Sequence, residues 1–211
     1  MIDTFAGALN WFGVAVFATT GALVASRKQM DVVGFALLGT VTGIGGGTIR
    51  DALLGKYPLF WIAEPGYLLT CVVVSCATFF LAHIPQSRYS LLLRFDGIGM
   101  AIFAVTGTET ALLAGAEPVV AITMGVITAT FGGMIRDVLG GESPLILRHE
   151  IYVTAALVGA ACFVLLTLAG LGRDVALVAG FALAAAIRLC ALRFNWSLPR
   201  YRPREERPPS E

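Results

Sequence analysis

Apolar residues in this chain fall into seven long runs: approximately Phe5 to Ser26, Val32 to Leu54, Pro65 to His83, Leu91 to Leu113, Val119 to Leu139, Ile151 to Ala169 and Val175 to Leu192. A membrane-spanning helix needs about 20 mostly apolar residues, and each run meets or approaches that length. Short connectors separate them, rich in turn formers or charge, such as Lys56-Tyr57-Pro58, Ala116-Glu117-Pro118 and Gly170-Leu171-Gly172-Arg173-Asp174. The pattern predicts an all-α, polytopic membrane protein with seven transmembrane helices. No run of polar sequence is long enough for a soluble domain, and the first run, with no basic segment before it, reads as a span rather than a signal peptide.

Composition agrees: 57% of the 211 residues are hydrophobic and 14% charged, against roughly 25% charged in a soluble domain. Mean hydropathy is +0.80. Charge adds an orientation. With the amino terminus outside, eleven basic residues lie on the inner side: Arg27, Lys28, Arg88, Arg94, Arg148, Arg188, Arg193, Arg200, Arg202, Arg204 and Arg207. Only Lys56 and Arg173 lie outside, which by the positive-inside rule predicts a multi-pass protein of the cell inner membrane with a cytoplasmic carboxyl terminus. The tail over 195–211, with its arginines and prolines, reads as disordered, serving as an orientation signal or meeting anionic lipid. Cys71, Cys76, Cys162 and Cys190 all sit in apolar runs without metal-ligand spacing, so neither disulfide nor metal is expected. With two histidines and no nucleophile motif, no catalytic set is visible, and no nucleic-acid partner is expected.

The remaining two basic residues, Arg50 and Arg136, belong to a repeated motif. Gly45-Gly46-Gly47-Thr48-Ile49-Arg50-Asp51 returns as Phe131-Gly132-Gly133-Met134-Ile135-Arg136-Asp137, at an offset of 86 residues. The same offset aligns positions 13–64 with 99–150 without a gap and gives twenty identities, rare Arg, Asp, Glu and Pro among them. The chain is therefore internally duplicated: 5–83 is a first three-helix repeat, 91–169 a second, and 174–193 a seventh helix. Three spans per unit force the second copy into the membrane from the opposite face, giving a 3+3 inverted repeat. In such folds glycine-interrupted helices at matching positions mark the transport pathway, here the second and fifth spans.

Three consecutive glycines cost a helix about 1 kcal/mol each relative to alanine, and Thr48 with Asp51 three residues on resembles a capping box. Together they predict a break or sharp kink at Gly45–Gly47, with a weaker one at Gly132–Gly133. Candidate pore and gating residues are Gly45, Gly46, Gly47, Thr48, Arg50, Asp51, Gly132, Gly133, Arg136 and Asp137. An Arg-Asp pair inside a span lines a polar pathway or ties helices together. Nine threonines, Thr19, Thr20, Thr42, Thr106, Thr108, Thr110, Thr123, Thr128 and Thr130, either offer oxygens to a cation or bond their own backbone. Glu109, near the outer end of the fourth span, reads as an interfacial carboxylate or as part of a cation-attracting vestibule.

The paired motifs within a 3+3+1 arrangement resemble the prokaryotic branch of the trimeric intracellular cation (TRIC) channel family, over residues 5–193. The duplicated unit also carries the label of a glycine-transporter-like domain. The resemblance implies a homotrimer among membrane lipids, with a pore in each protomer around the second and fifth spans, conducting K+ or Na+ without a cofactor. Animal members hold a phosphoinositide with a basic pair that is not identified in this chain, so that dependence is not carried over. The alternative is a secondary transporter of a small solute such as glycine, because half-helix amino termini bind carboxylates.

Overall fold

A computed structural model describes residues 4–83, 87–148 and 150–199. The connector Ile84-Pro85-Gln86, His149 and the tail from residue 200 onward lie outside the described residues. The described residues form eight α-helices: α1 (Thr4–Arg27), α2 (Val32–Leu53), the single-turn α3 (Phe60–Ala63), α4 (Gly66–Leu81), α5 (Arg88–Leu113), α6 (Pro118–Leu139), α7 (Val153–Leu168) and α8 (Arg173–Phe194). A 3-10 turn, Leu145–Leu147, stands before α7 as α3 stands before α4. Five helices, α1, α2, α5, α6 and α8, are long and apolar enough to cross a membrane, while α4 and α7 are shorter apolar helices. The chain is an all-helical, multi-pass membrane protein.

Helix boundaries follow local chemistry. Asp31 caps α2 by accepting from the Gly34 amide at 2.8 Å, Ser87 caps α5 through the Ser90 amide, and Pro118 opens α6 at its first position. After α2 and after α6 the chain turns through Gly55 and Gly141, both at φ +64°. These left-handed positions let the Lys56 and Glu142 amides reach back to the carbonyls of Asp51 and Asp137.

α1 and α5 form the buried centre, with large parts of their spans inside the protein, and their contacts are reciprocal. A side-chain atom on Gly13 would lie 2.9 Å from Ile102 and 3.0 Å from Phe103, and one on Gly99 would strike Phe17 and Val16. These are the same positions of the two halves. Phe17 and Phe103, which are each other's counterparts, meet edge-on at 5.0 Å. α2 and α6 cross in the same reciprocal way: Gly46 lies against the Thr128 carbonyl, and Gly132 against the Thr42 carbonyl, where a Cβ would stand 2.5 Å away. α4 packs on α1 and α2, α7 on α5 and α6, and α8 covers α7 and α5.

The break expected at Gly45–Gly47 does not occur. α2 is one hydrogen-bonded helix from Val32 to Leu53, and no half-helix starts at Thr48, whose hydroxyl donates to the Ile44 carbonyl at 2.8 Å. Gly46 and Gly132 instead remove side chains at a crossing where backbone meets backbone, the small-residue packing that membrane helices use, and Gly47 makes room for the Phe60 ring. The packing gained there offsets the propensity cost from which the break was inferred.

Candidate functional site

Both Arg-Asp pairs are buried beside the α2/α6 crossing. Arg50 and Asp51 are 3% and 0% exposed, Arg136 and Asp137 0% and 3%. In each pair the arginine donates to its neighbour's Oδ1, from Arg50 Nε and Nη2 at 2.9 and 2.7 Å and from Arg136 Nε at 2.9 Å. The second carboxylate oxygen works outward: Asp51 Oδ2 accepts from the Phe60 amide at 2.9 Å, and Asp137 Oδ2 from the Leu145 amide at 3.0 Å. Each aspartate therefore fixes the first turn of the short helix that follows its span. Adjacent residues lie 100° apart on a helix, so the arginine must fold back across Asp to pair, which holds both charges at the helix end.

Beyond this shared unit the halves diverge. Arg136 Nη1 reaches two further helices, donating to Asp96 Oδ1 of α5 at 2.7 Å and to Thr20 Oγ1 of α1 at 2.9 Å. Arg50 has its guanidinium 5.7 Å over the Phe60 ring. Its side of the crossing carries Asn10 where the other carries Asp96, and Asn10 donates to the Tyr67 hydroxyl at 3.2 Å. Thr48 Oγ1 accepts from Trp61 Nε1 at 3.0 Å, pinning the turn after α2. Burying charge in a low-dielectric interior is tolerated only with partners, and the Arg136 cluster supplies two carboxylates to one guanidinium. Asp96 Oδ2 and Arg136 Nη2 are nonetheless buried without a hydrogen-bond partner among the described residues.

A second buried cluster adjoins the first. Arg188 of α8 has a side chain 1% exposed, paired to Glu150 Oε2 at 2.7 Å and donating to the Ile151 carbonyl at 3.2 Å. Its guanidinium lies 5.0 Å over the Tyr152 ring. The Tyr152 hydroxyl stands, with Asp96 Oδ1 and Arg136 Nη2, within 3.5 Å of the place a Gly133 Cβ would take. Arg188, counted among the inner-surface charges, is thus an internal tie between α8 and the segment before α7. On that side a cavity of about 690 Å³ is lined by Tyr89, Arg148, Glu150, Arg188 and Trp196 among others.

Thr48, Arg50, Asp51, Gly133, Arg136 and Asp137 therefore take part in two polar clusters, while Gly45, Gly46 and Gly132 form the crossing between them and Gly47 makes room for the Phe60 ring. Asp96 and Tyr152 were missed, although a lone carboxylate within a span is by itself a functional signal. Each of the nine threonine hydroxyls donates to a backbone carbonyl of its own helix. Glu109 is 4% exposed and lines a cavity with Asn10, Lys56, Tyr67 and Thr106. The cysteines are free, with Cys71 buried and Cys190 exposed. Among the described residues no group of three or more His, Cys, Asp or Glu could hold a metal ion.

The fold and site define a helical membrane protein built around two crossed, glycine-lined helices, each with a buried Arg-Asp pair. The sequence model of the family described as glycine transporter matches it twice, at residues 8–83 and 93–168. A trimeric intracellular cation channel orthologue from Rhodobacter sphaeroides superposes with TM-score 0.90 at 60% identity, covering 92% of this chain and all of that one. A structure solved to explain conductance through TRIC cation channels gives 0.84 at 34% identity, over 98% of this chain and 100% of the other. The UPF0126 inner membrane protein YadS of Escherichia coli (strain K12) is 40% identical over 195 residues, 92% of this chain and 94% of its own. A UPF0126 membrane protein of Vibrio cholerae is 41% identical over 194 residues, 92% and 81% respectively. The chain belongs to the TRIC channel family, and it is not an enzyme.

Proposed function

We propose that this chain is a cation channel of the cell inner membrane, a homotrimer with a conduction pathway for K+ and Na+ inside each protomer. The pathway runs along the α2/α6 crossing, between the Arg50-Asp51 and Arg136-Asp137 clusters. Seven spans arranged as a 3+3 inverted repeat, with α8 as the seventh, give the pathway one cluster toward each face of the membrane. The observation that carries this reading is the reciprocal contact of Gly46 with Thr128 and Gly132 with Thr42, with both buried ion pairs flanking it. Charge inside a span is expensive unless it serves a polar path or a tie. The solved relatives support the choice: the Rhodobacter sphaeroides protein of similar fold is described as a trimeric intracellular cation channel. Cation preference is consistent with the Arg136 cluster, where Asp96 and Asp137 outnumber the one arginine between them.

The family description favours a second reading, a carrier of glycine or a similar small solute. A carrier of that kind uses half-helix amino termini in mid-membrane to bind carboxylate, and α2 and α6 are continuous helices that offer none. Proteoliposomes separate the two. A channel predicts non-saturating K+ flux down its gradient and no glycine counterflow; saturable glycine exchange without K+ flux would establish the carrier instead.

A further inference from the structure

The two halves of the molecule treat one arginine differently, and the difference traces to a single position. Asp96 and Asn10 are 86 residues apart, as are Thr20 and Thr106. In one half Asp96 and Thr20 are the residues that hold the Arg136 guanidinium, tying α6 to α5 and α1. In the other half their counterparts hold no arginine: Asn10 is engaged with Tyr67, and Thr106 with the carbonyl of Ile102. Asn10, Tyr67 and Thr106 line a cavity of about 60 Å³, together with Glu109 and Lys56. The cavity thus brings Asn10 and Thr106 together as Asp96 and Thr20 are brought together around Arg136, while Tyr67, Glu109 and Lys56 correspond to Val153, Leu23 and Glu142 in the other half. Arg50 lies one ring away from it, over Phe60, whose ring packs edge-on against Tyr67 at 5.0 Å.

We infer that Asn10 and Asp96 decide which arginine moves: Asp96 fixes Arg136 in its seat, whereas Asn10 leaves the equivalent seat open, so that Arg50 has two positions and acts as the moving gate. The first position is the one described here, against Asp51 and Phe60. The second is the cavity, where the Asn10 carbonyl and the Thr106 hydroxyl accept a guanidinium as Asp96 and Thr20 accept that of Arg136. In that seat Arg50 would tie α2 to α1 and α5, as Arg136 ties α6, and hold the crossing shut. A neutral amide at position 10 makes the second seat accessible without making it permanent. This inference rests on the pathway proposed above, and the position-10 residue acts through Arg50 as a positioning residue, not as a pore contact.

A double-mutant cycle in planar bilayers tests it. Asn10→Asp supplies the missing carboxylate and is expected to lower open probability about tenfold, the size of one charge-assisted hydrogen bond. Arg50→Gln is expected to abolish that effect, so that Asn10→Asp/Arg50→Gln gates like Arg50→Gln alone. Thermal midpoints of the same four purified proteins give a reading that needs no current: Asn10→Asp should lower the midpoint more when Arg50 is replaced than when it is present. If Asn10→Asp does not assemble, Thr106→Asp places a carboxylate on the opposite wall of the cavity and carries the same expectations. Equal effects of the aspartate with and without Arg50, in gating and in melting, would overturn the inference while leaving conduction by the unaltered protein intact. Absence of K+ current in the unaltered protein would refute the pathway instead, and the melting cycle would still decide whether the seat exists.

Discussion

At the scale of single residues, the two arginines are chemically alike and differently invested. Removing Arg136 leaves Asp96 and Asp137 buried without their cation, so Arg136→Gln is expected to cost about 3–5 kcal/mol, the range for breaking a buried pair. Arg50→Gln strands one carboxylate, which keeps its bond from the Phe60 amide, and should cost less. Thermal unfolding of the purified proteins orders the two; equal losses would contradict the asymmetry. Trp61→Phe removes only the donor to Thr48 and should cost about 1 kcal/mol. This level of detail was partly legible in sequence. The paired Arg-Asp motifs announced themselves because charge is rare here, but Asp96 did not, because its role depends on a reach from α6 to α5 that no local pattern encodes. Thr20 was visible only as one threonine among nine.

At the scale of elements, the glycines show where reading propensity alone goes astray. Gly-Gly-Gly within a span looks like a break when only the helix's own energy is counted. Tertiary packing reverses the sign, since α2 remains whole, Gly46 receives the α6 backbone and Gly47 the Phe60 ring. Substitutions should therefore follow the neighbour that a Cβ would meet. On Gly46 it would meet the Thr128 carbonyl, which is backbone and cannot yield, while on Gly45 it would lie 3.1 Å from the terminal methyl of Ile135, which can. Gly46→Ala is expected to destabilise by about 1–3 kcal/mol or more through overpacking. Gly45→Ala should be near neutral, because gained helix propensity offsets a small shift of Ile135. Melting of Gly45→Ala and Gly46→Ala proteins, with size-exclusion profiles to follow assembly, checks the contrast, and equal effects would contradict the packing account. The apolar runs place the starts of α2, α4 and α6 within one residue, at Val32, Gly66 and Pro118, and miss that of α5, because Arg88, Tyr89 and Ser90 ahead of the apolar run are already helical behind the Ser87 cap.

At the scale of the whole molecule, duplication was the most informative property of the sequence, because it paired the positions whose contacts are reciprocal, Gly13 with Gly99 and Gly46 with Gly132. Asn10 and Asp96 fall just outside the aligned block of identities, which is why the one position that differentiates the clusters drew no notice. Orientation is a claim at this scale: a reporter fused to the carboxyl terminus should be active in the cytoplasm, as the arginine-rich tail predicts. The central claim is that the crossed helices enclose a route for cations. Recording from purified protein in a planar bilayer under a KCl gradient tests it most directly. Discrete currents reversing near the K+ equilibrium potential are expected; silence, or reversal at the Cl− potential, would contradict the account.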